Sequence, residues 1–183
     1  MSIVVLIGAP GSGKSSVARH LAENGWAVWE CDDAVAASLR VERAQAYLAE
    51  DGQRFAAQAV ELAKERLAQA AAQLAESVGE AGGQKQVLVL SSEAVLDADL
   101  RAQLRQIGQA GGNVVHLDAD LAALTKRLGF TAPGGLATLT PRALLGAMRR
   151  ERLPLYQEAA GHNIDTSFLT APEVARAVEE IAG

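Results

Sequence analysis

The sequence predicts an α/β protein with a parallel sheet covered by helices on both faces. Three observations predict it. Short apolar segments alternate with longer helical ones along the chain. The first apolar segment, Ile3 to Ile7, is continuous and rich in β-branched residues, as in a strand buried on both faces. A glycine-rich stretch, Gly8-Ala9-Pro10-Gly11-Ser12-Gly13-Lys14-Ser15, joins that strand directly to a helix. The length, 183 residues, is that of one domain with a substantial core.

The elements follow in order. A helix is expected from about Lys14 to Asn24, stopped by Gly25. The second strand is Trp26 to Glu30. From Asp33 to about Ser77 the chain is rich in Ala, Glu, Gln, Leu and Arg and reads as helix, broken near Asp51-Gly52. Gly79 to Gln84 is a loop, and Gln86 to Leu90 the third strand. A helix over Asp97 to Gln109 and the turn Gly111-Gly112-Asn113 lead to the fourth strand, Val114 to Leu117. Another helix spans about Asp120 to Leu128. The stretch Gly129 to Leu139, GFTAPGGLATL, carries glycines, a proline and no charge, and reads as a mobile loop. Thr140-Pro141 reads as an N-cap followed by proline at the first helical position, opening a helix to about Arg152. A short strand at Asn163 to Asp165 and a helix at Ala171 to Ile181 close the chain.

Composition narrows the function. Hydrophobic residues make up 49% and charged residues 21%, which is ordinary for a globular protein. The net charge is −5 with no basic block, which argues against a nucleic-acid or lipid surface. The lone cysteine, Cys31, leaves no internal disulfide and fits a reducing compartment. The apolar N-terminal run is too short to span a membrane and has no basic lead. A cytoplasmic protein is expected, monomeric, with a dimer as the alternative.

The glycine-rich stretch fits G-x-x-x-x-G-K-[ST] at every fixed position. Glycines let successive N–H groups curl toward phosphate oxygens, and the helix that follows adds its positive end. Gly8, Gly11, Ser12, Gly13, Lys14, Ser15 and Ser16 are therefore the candidate phosphate site. Lys14 supplies a point charge for the β- and γ-phosphates, and the Ser15 hydroxyl is a hard-oxygen ligand for Mg²⁺. The loop thus implies a bound nucleotide with Mg²⁺. A glycine-rich turn that binds nothing is the competing explanation, and the strand before and helix after argue against it.

The second strand ends at Glu30-Cys31-Asp32-Asp33. Ligands of open parallel sheets sit beyond the carboxyl ends of the strands, so these carboxylates are well placed. One can hold water around Mg²⁺ and another can accept a proton from an attacking hydroxyl. Glu30 and Asp32 are expected to face the site, with Asp33 or its neighbour capping the next helix. Cys31 between them is expected to alternate to the other face and pack in the core. His20, His116 and His162 have no metal-ligand spacing and read as packing or surface residues. Trp26 and Trp29 bracket the second strand and read as sheet packing.

The loop GAPGSGKSSVARHLA, the acid-x-acid spacing in ECDDAV and the segment ERLPLYQEAAGHNIDTS together resemble shikimate kinase. The order of motifs matches over nearly the whole chain. The family's R-x-P-x-Y reappears as Arg152, Pro154 and Tyr156, and its V-D-T strand as Ile164-Asp165-Thr166. The resemblance implies a P-loop kinase domain, a three-layer sandwich like that of the nucleoside-monophosphate kinases. Its sheet has five parallel strands in the order 2-3-1-4-5. It also implies transfer of the ATP γ-phosphate to a small-molecule hydroxyl, a helical substrate-binding insert at about 33–78 and a lid at about 129–139. The family's hydroxyl-gripping acid falls on Asp32 and its magnesium-side acid on Glu30, one methylene longer. Its acceptor-binding arginine falls on Arg152. Its adenine-stacking arginine falls on Arg127, with Lys126 as the alternative.

The departures have a direction. The family's G-E-x-x-F-R shrinks to Gly52-Gln53-Arg54-Phe55-Ala56, so alanine stands where an arginine is expected and Arg54 is the candidate substitute. The glycine triplet that lets backbone touch shikimate becomes Ser91-Ser92-Glu93. The lid arginine is missing, and Arg142 is the displaced candidate, placed in the first turn of its helix. Weakened cationic contacts beside an added carboxylate disfavour an anionic acceptor by about 2–5 kcal/mol. Candidate acceptor residues are Asp32, Arg54, Ser92, Glu93 and Arg152, and candidate catalytic residues are Lys14, Asp32 and Arg152. The expected function is a kinase for a small polyol, amino alcohol or zwitterion, with Glu93 available to an amine or, as the competing explanation, solvated at a helix N-terminus. Two rivals stand beside it: a shikimate kinase in which Arg54 and Arg142 replace the missing arginines, and a nucleotide-binding regulatory module without transfer activity.

Overall fold

The computed structural model describes residues 1–40, 52–77, 83–129 and 136–183, with backbone alone at 136–140. The elements are β1 (Ser2–Ile7), α1 (Lys14–Glu23), β2 (Ala27–Glu30), α2 (Cys31–Leu39), α3 (Gly52–Glu76) and β3 (Lys85–Val89), then a single 3-10 turn at Ala94–Leu96. They continue with α4 (Ala98–Gln109), β4 (Asn113–Asp118), α5 (Leu121–Arg127), α6 (Leu136–Ala159), β5 (His162–Asp165) and α7 (Ala171–Ala182). The five strands form one sheet in the order β2-β3-β1-β4-β5, and every pairing is parallel. This is the expected α/β architecture.

Alternation along β1 separates the two faces. Ile3, Val5 and Ile7 join a core with Phe55, Leu67, Leu100, Leu104 and Tyr156, contributed by α3, α4 and α6. Val4 and Leu6 point the other way, to Val17 and Leu21 of α1 and Val174 and Val178 of α7. As the middle strand, β1 is buried from Ile3 to Ile7, which explains its uninterrupted apolar character. Asp97 and Asp120 start α4 and α5, each accepting a backbone N–H from the first turn, at 2.8 and 2.7 Å.

Three expectations need correction. The helix expected from Thr140-Pro141 to Arg152 instead runs from Leu136 to Ala159 with Pro141 and Pro154 inside it. Each proline removes one intrahelical hydrogen bond, and the burial of Leu145, Tyr156 and Ala159 offsets that loss. Neither Asp33 nor Asp32 caps α2. The N-cap is Glu30, without a side-chain cap bond, because β2 runs into α2 with no loop between. Asp32 and Asp33 lie in the first turn, where the helix dipole favours carboxylates. Cys31 is buried as expected, but as the first residue of α2 rather than by strand alternation. Burial pushes its thiol up to about 12, so it is an inert core residue.

Of the expected lid, residues 130–135 lie outside the described residues and 136–139 form the first turn of α6. Of the expected insert, α2 and α3 are described, and residues 41–51 and 78 lie outside the described residues. No helix among the described residues is long and apolar enough to cross a membrane.

Candidate active site

The site forms where β1, β2 and β3 end. Gly8 leaves β1 so close to β4 that a Cβ there would sit 2.5 Å from the Leu117 carbonyl oxygen. Gly13 is the N-cap of α1 in the left-handed conformation, φ 100°, ψ 6°, and a Cβ added to it would meet nothing within 4 Å. The loop is braced from within and without. Ser12 N donates to the Ala9 carbonyl at 3.1 Å. Arg127 of α5 donates to the Gly11 carbonyl at 3.3 Å, to the Thr166 hydroxyl at 3.0 Å and to the Thr166 carbonyl. The Thr166 hydroxyl lies within bonding distance of the carbonyls of Ser12, 3.1 Å, and Asp118, 2.9 Å. The segment after β5 is thereby fastened to the phosphate loop.

Lys14 and Ser15 open α1. The Lys14 ammonium donates to the loop carbonyls of Gly8 at 2.7 Å and Ala9 at 3.2 Å. The Ser15 hydroxyl donates to Glu30 Oε2 at 3.0 Å across the end of β2. A cleft of about 620 Å³ opens over this loop, a volume typical of small-molecule sites. Gly11, Ser12, Gly13, Lys14, Ser15 and Ser16 line its floor. Glu30, Asp32 and Ser92 line one flank, and Arg127, Thr166, Leu169 and Val174 the other.

The cleft fits a nucleotide triphosphate with its metal. The open space above Gly13, the positive end of α1 and the Lys14 ammonium suit an anion. The paired oxygens of Ser15 and Glu30 suit a hard cation that keeps several waters and shares the phosphates. Among the described residues no cluster of three or more His, Cys, Asp or Glu side chains could cage a metal alone, and such a site needs none.

Arg152 lies behind Ser92. It is 7% exposed and donates to the Ser92 carbonyl at 3.3 Å and to Glu93 Oε1 at 3.4 Å. Tyr156, one turn later on α6, donates its hydroxyl to the same Ser92 carbonyl at 2.7 Å. Arg152 and Glu93, which the sequence offers as separate anion and amine sites, form one ion pair. Glu93 is the N-cap of the 3-10 turn but makes no side-chain cap bond, and its carboxylate is 45% exposed. Arg54, in the first turn of α3, is exposed and is not among the residues that line the cleft. Arg142 is exposed on α6. Sequence reasoning passed over Arg149, which donates to both Asp118 carboxylate oxygens, at 3.0 and 2.9 Å, and to the Ala119 carbonyl at 2.9 Å. That contact ties α6 to the end of β4.

His116 is buried on β4, and its imidazole stacks on the Tyr156 ring with centroids 4.8 Å apart and planes 12° apart. Burial pushes its protonation below the ordinary value of 6.5, Asp118 and the Asn163 hydrogen bond oppose that shift, and Lys14 and Arg149 add to it. The sign follows from linkage. Below 6.5 the unfolded chain takes up a proton that the folded chain resists, so this group's contribution is complete above 6.5 and is lost as the pH falls. The melting temperature is expected to fall as the pH drops below 6.5, and His116→Phe is expected to flatten that limb in a thermal melt series.

A parallel sheet in this order, with a phosphate loop between β1 and α1 and carboxylates after β2, defines a P-loop phosphotransferase. The shikimate kinase family model matches residues 10–182. The shikimate kinase of Thermobifida fusca is 35% identical over 177 residues, covering 96% of this chain and 92% of that one. That of Mycobacterium tuberculosis is 34% identical over 165 residues, covering 89% and 83%. Among solved structures, the shikimate kinase of Acinetobacter baumannii in complex with shikimate aligns with a TM-score of 0.75 at 21% identity, over 99% of this chain and 92% of that one. A gluconokinase from Sinorhizobium meliloti aligns with a TM-score of 0.53 at 19% identity, over 99% and 93%; both likenesses speak to the fold. The chain belongs to the shikimate kinase family, ATP-dependent kinases with an alcohol group as acceptor.

Proposed function

We propose that this kinase uses ATP and Mg²⁺ to phosphorylate a hydroxyl of a small neutral or amine-bearing metabolite, and that its acceptor site is altered away from a shikimate-like anion. The observation that carries the reading is the Arg152–Glu93 ion pair. An arginine that grips a substrate carboxylate does so best with its donors free for a two-pronged contact. Here one donor already serves Glu93 and another the Ser92 carbonyl. Arg152 and Glu93 sit behind the cleft-lining Ser92, so an anion brought to Arg152 competes with a carboxylate already paired there, whereas a polyol or ammonium group gains an acceptor.

In this reading the amides of Gly11 and Gly13, with Lys14, hold the phosphates, and Ser15 with Glu30 holds the metal. Bound ATP with Mg²⁺ supplies the transferable γ-phosphoryl group. Asp32 orients the acceptor hydroxyl and takes its proton. Arg127 lies on the base side, and α2 and α3 form the acceptor-binding insert. The partner is a small molecule and the setting cytoplasmic.

A second reading, true shikimate phosphorylation, is favoured by the identity to chains named shikimate kinase over nearly the full length. Measuring ADP release with shikimate and with a panel of polyols and amino alcohols separates the two. The altered site is expected to turn over a neutral or amine-bearing acceptor in preference to shikimate. Glu93→Gln is expected to lower the KM for anionic acceptors about twofold to fivefold, a modest gain because the carboxylate is half exposed. Shikimate as the best wild-type substrate, with Glu93→Gln neutral, overturns the altered-site reading.

A further inference from the structure

We infer that His116 is a positioning residue for the acceptor end of the cleft, acting through the Tyr156 ring and the Ser92 carbonyl on Arg152. The inference rests on the reading that this end of the cleft receives the acceptor. It begins with strand alternation. Val115 and Leu117 of β4 point toward α1 and α7, so Val114 and His116 point to the face covered by α4 and α6. Ile7 and Asn163 are the Cα partners of His116 on β1 and β5. Across that face its imidazole lies flat against Tyr156, which is 2% exposed.

The stack has a consequence one hydrogen bond away. The Tyr156 hydroxyl and Arg152 converge on a single acceptor, the Ser92 carbonyl, at 2.7 and 3.3 Å. Two donors on one carbonyl fix the orientation of that peptide. Ser92 lines the cleft, so the orientation of its peptide sets part of the acceptor wall. Among the described residues Arg152 has few other anchors: its Nε is buried with no hydrogen-bond partner, and beyond the Ser92 carbonyl its guanidinium meets the half-exposed Glu93 and the Tyr156 hydroxyl itself. A Tyr156 ring free to tilt would release the Ser92 carbonyl, and with it the anchor of Arg152. The imidazole prevents the tilt by occupying the ring face. Burial keeps it neutral, so it stacks without placing a cation beside Arg152.

The test needs no acceptor, so its outcome is separate from the substrate question. In ¹⁵N-arginine-labelled protein, assigned with Arg152→Lys, the Arg152 Nε–H exchange with water is followed by NMR. His116→Ala, and His116→Leu in case the alanine variant does not fold, are expected to speed that exchange about tenfold or more. Arg127 and Arg149 signals should stay in place. His116→Phe, which restores a flat ring, is expected to restore slow exchange. Tyr156→Phe, which keeps the ring and loses the hydroxyl, is expected to match the alanine variant. Unchanged Arg152 exchange in folded His116→Ala or His116→Leu overturns the inference. Equal loosening at Arg127 and Arg149 also overturns it, because it marks a packing role alone.

Discussion

Lys14→Met is expected to lower ATP-dependent turnover about 10²–10³-fold while leaving the melting temperature near that of the wild type. Methionine keeps the apolar stem and deletes the ammonium. That ammonium is held over the loop by the Gly8 and Ala9 carbonyls, at 2.7 and 3.2 Å. It is therefore in place before any phosphate arrives, and charge developing on the transferred group meets a fixed cation without reorganisation. The loop itself does not depend on Lys14 alone. Ser12 N on the Ala9 carbonyl, Arg127 on the Gly11 carbonyl and Thr166 beside the Ser12 carbonyl all remain. ADP release and a thermal melt on the same sample check both halves. Turnover within a factor of about two of the wild type would remove the phosphate loop from the reaction.

The fold was legible because its signals are local and agree with one another. The uninterrupted run Ile3 to Ile7 is what a central strand requires, and it occupies the middle of the sheet. Asp97 and Asp120 are good caps in sequence and cap α4 and α5 in space. The α6 boundaries were not legible. Proline rules describe a helix judged alone, and α6 is judged by what it buries at Leu145, Tyr156 and Ala159. The α2 cap was missed for a related reason, since a strand that enters a helix without a loop leaves no position for an Asp cap.

The site divides in the same way. Its phosphate half is eight consecutive residues whose spacing carries the chemistry. Its acceptor half is assembled from separated segments. Arg152 meets Glu93 across 59 residues, and nothing near either one announces the other. His116 meets Tyr156 only because β4 presents alternate residues to α6, so a histidine without metal-ligand spacing read as packing. Arg149 and Asp118 escaped notice for want of any motif. Where function depends on which charges neutralise each other, three-dimensional placement decides, and residue type alone does not.

Asp32→Asn carries the other large effect, a fall in kcat of about 10²–10⁴-fold with ATP affinity unchanged. Asparagine keeps the shape and loses the proton-accepting oxygen. Asp32 sits in the first turn of α2 and lines the same cleft as Lys14, Ser15 and Ser92. It can therefore meet a hydroxyl that faces the phosphates. Phosphoryl transfer passes through a loose transition state in which the attacking oxygen has formed little bond. Such a reaction asks more for alignment than for early proton removal. The split between constants separates the two roles. A loss confined to kcat with an unchanged acceptor KM marks proton acceptance at the transition state. A rise in acceptor KM with kcat kept marks binding alone. Equal turnover in the wild type and the variant would leave the proton to the phosphate or solvent and remove Asp32 from the chemistry. ATP binding without turnover on any acceptor, in the wild type itself, would instead favour the regulatory module.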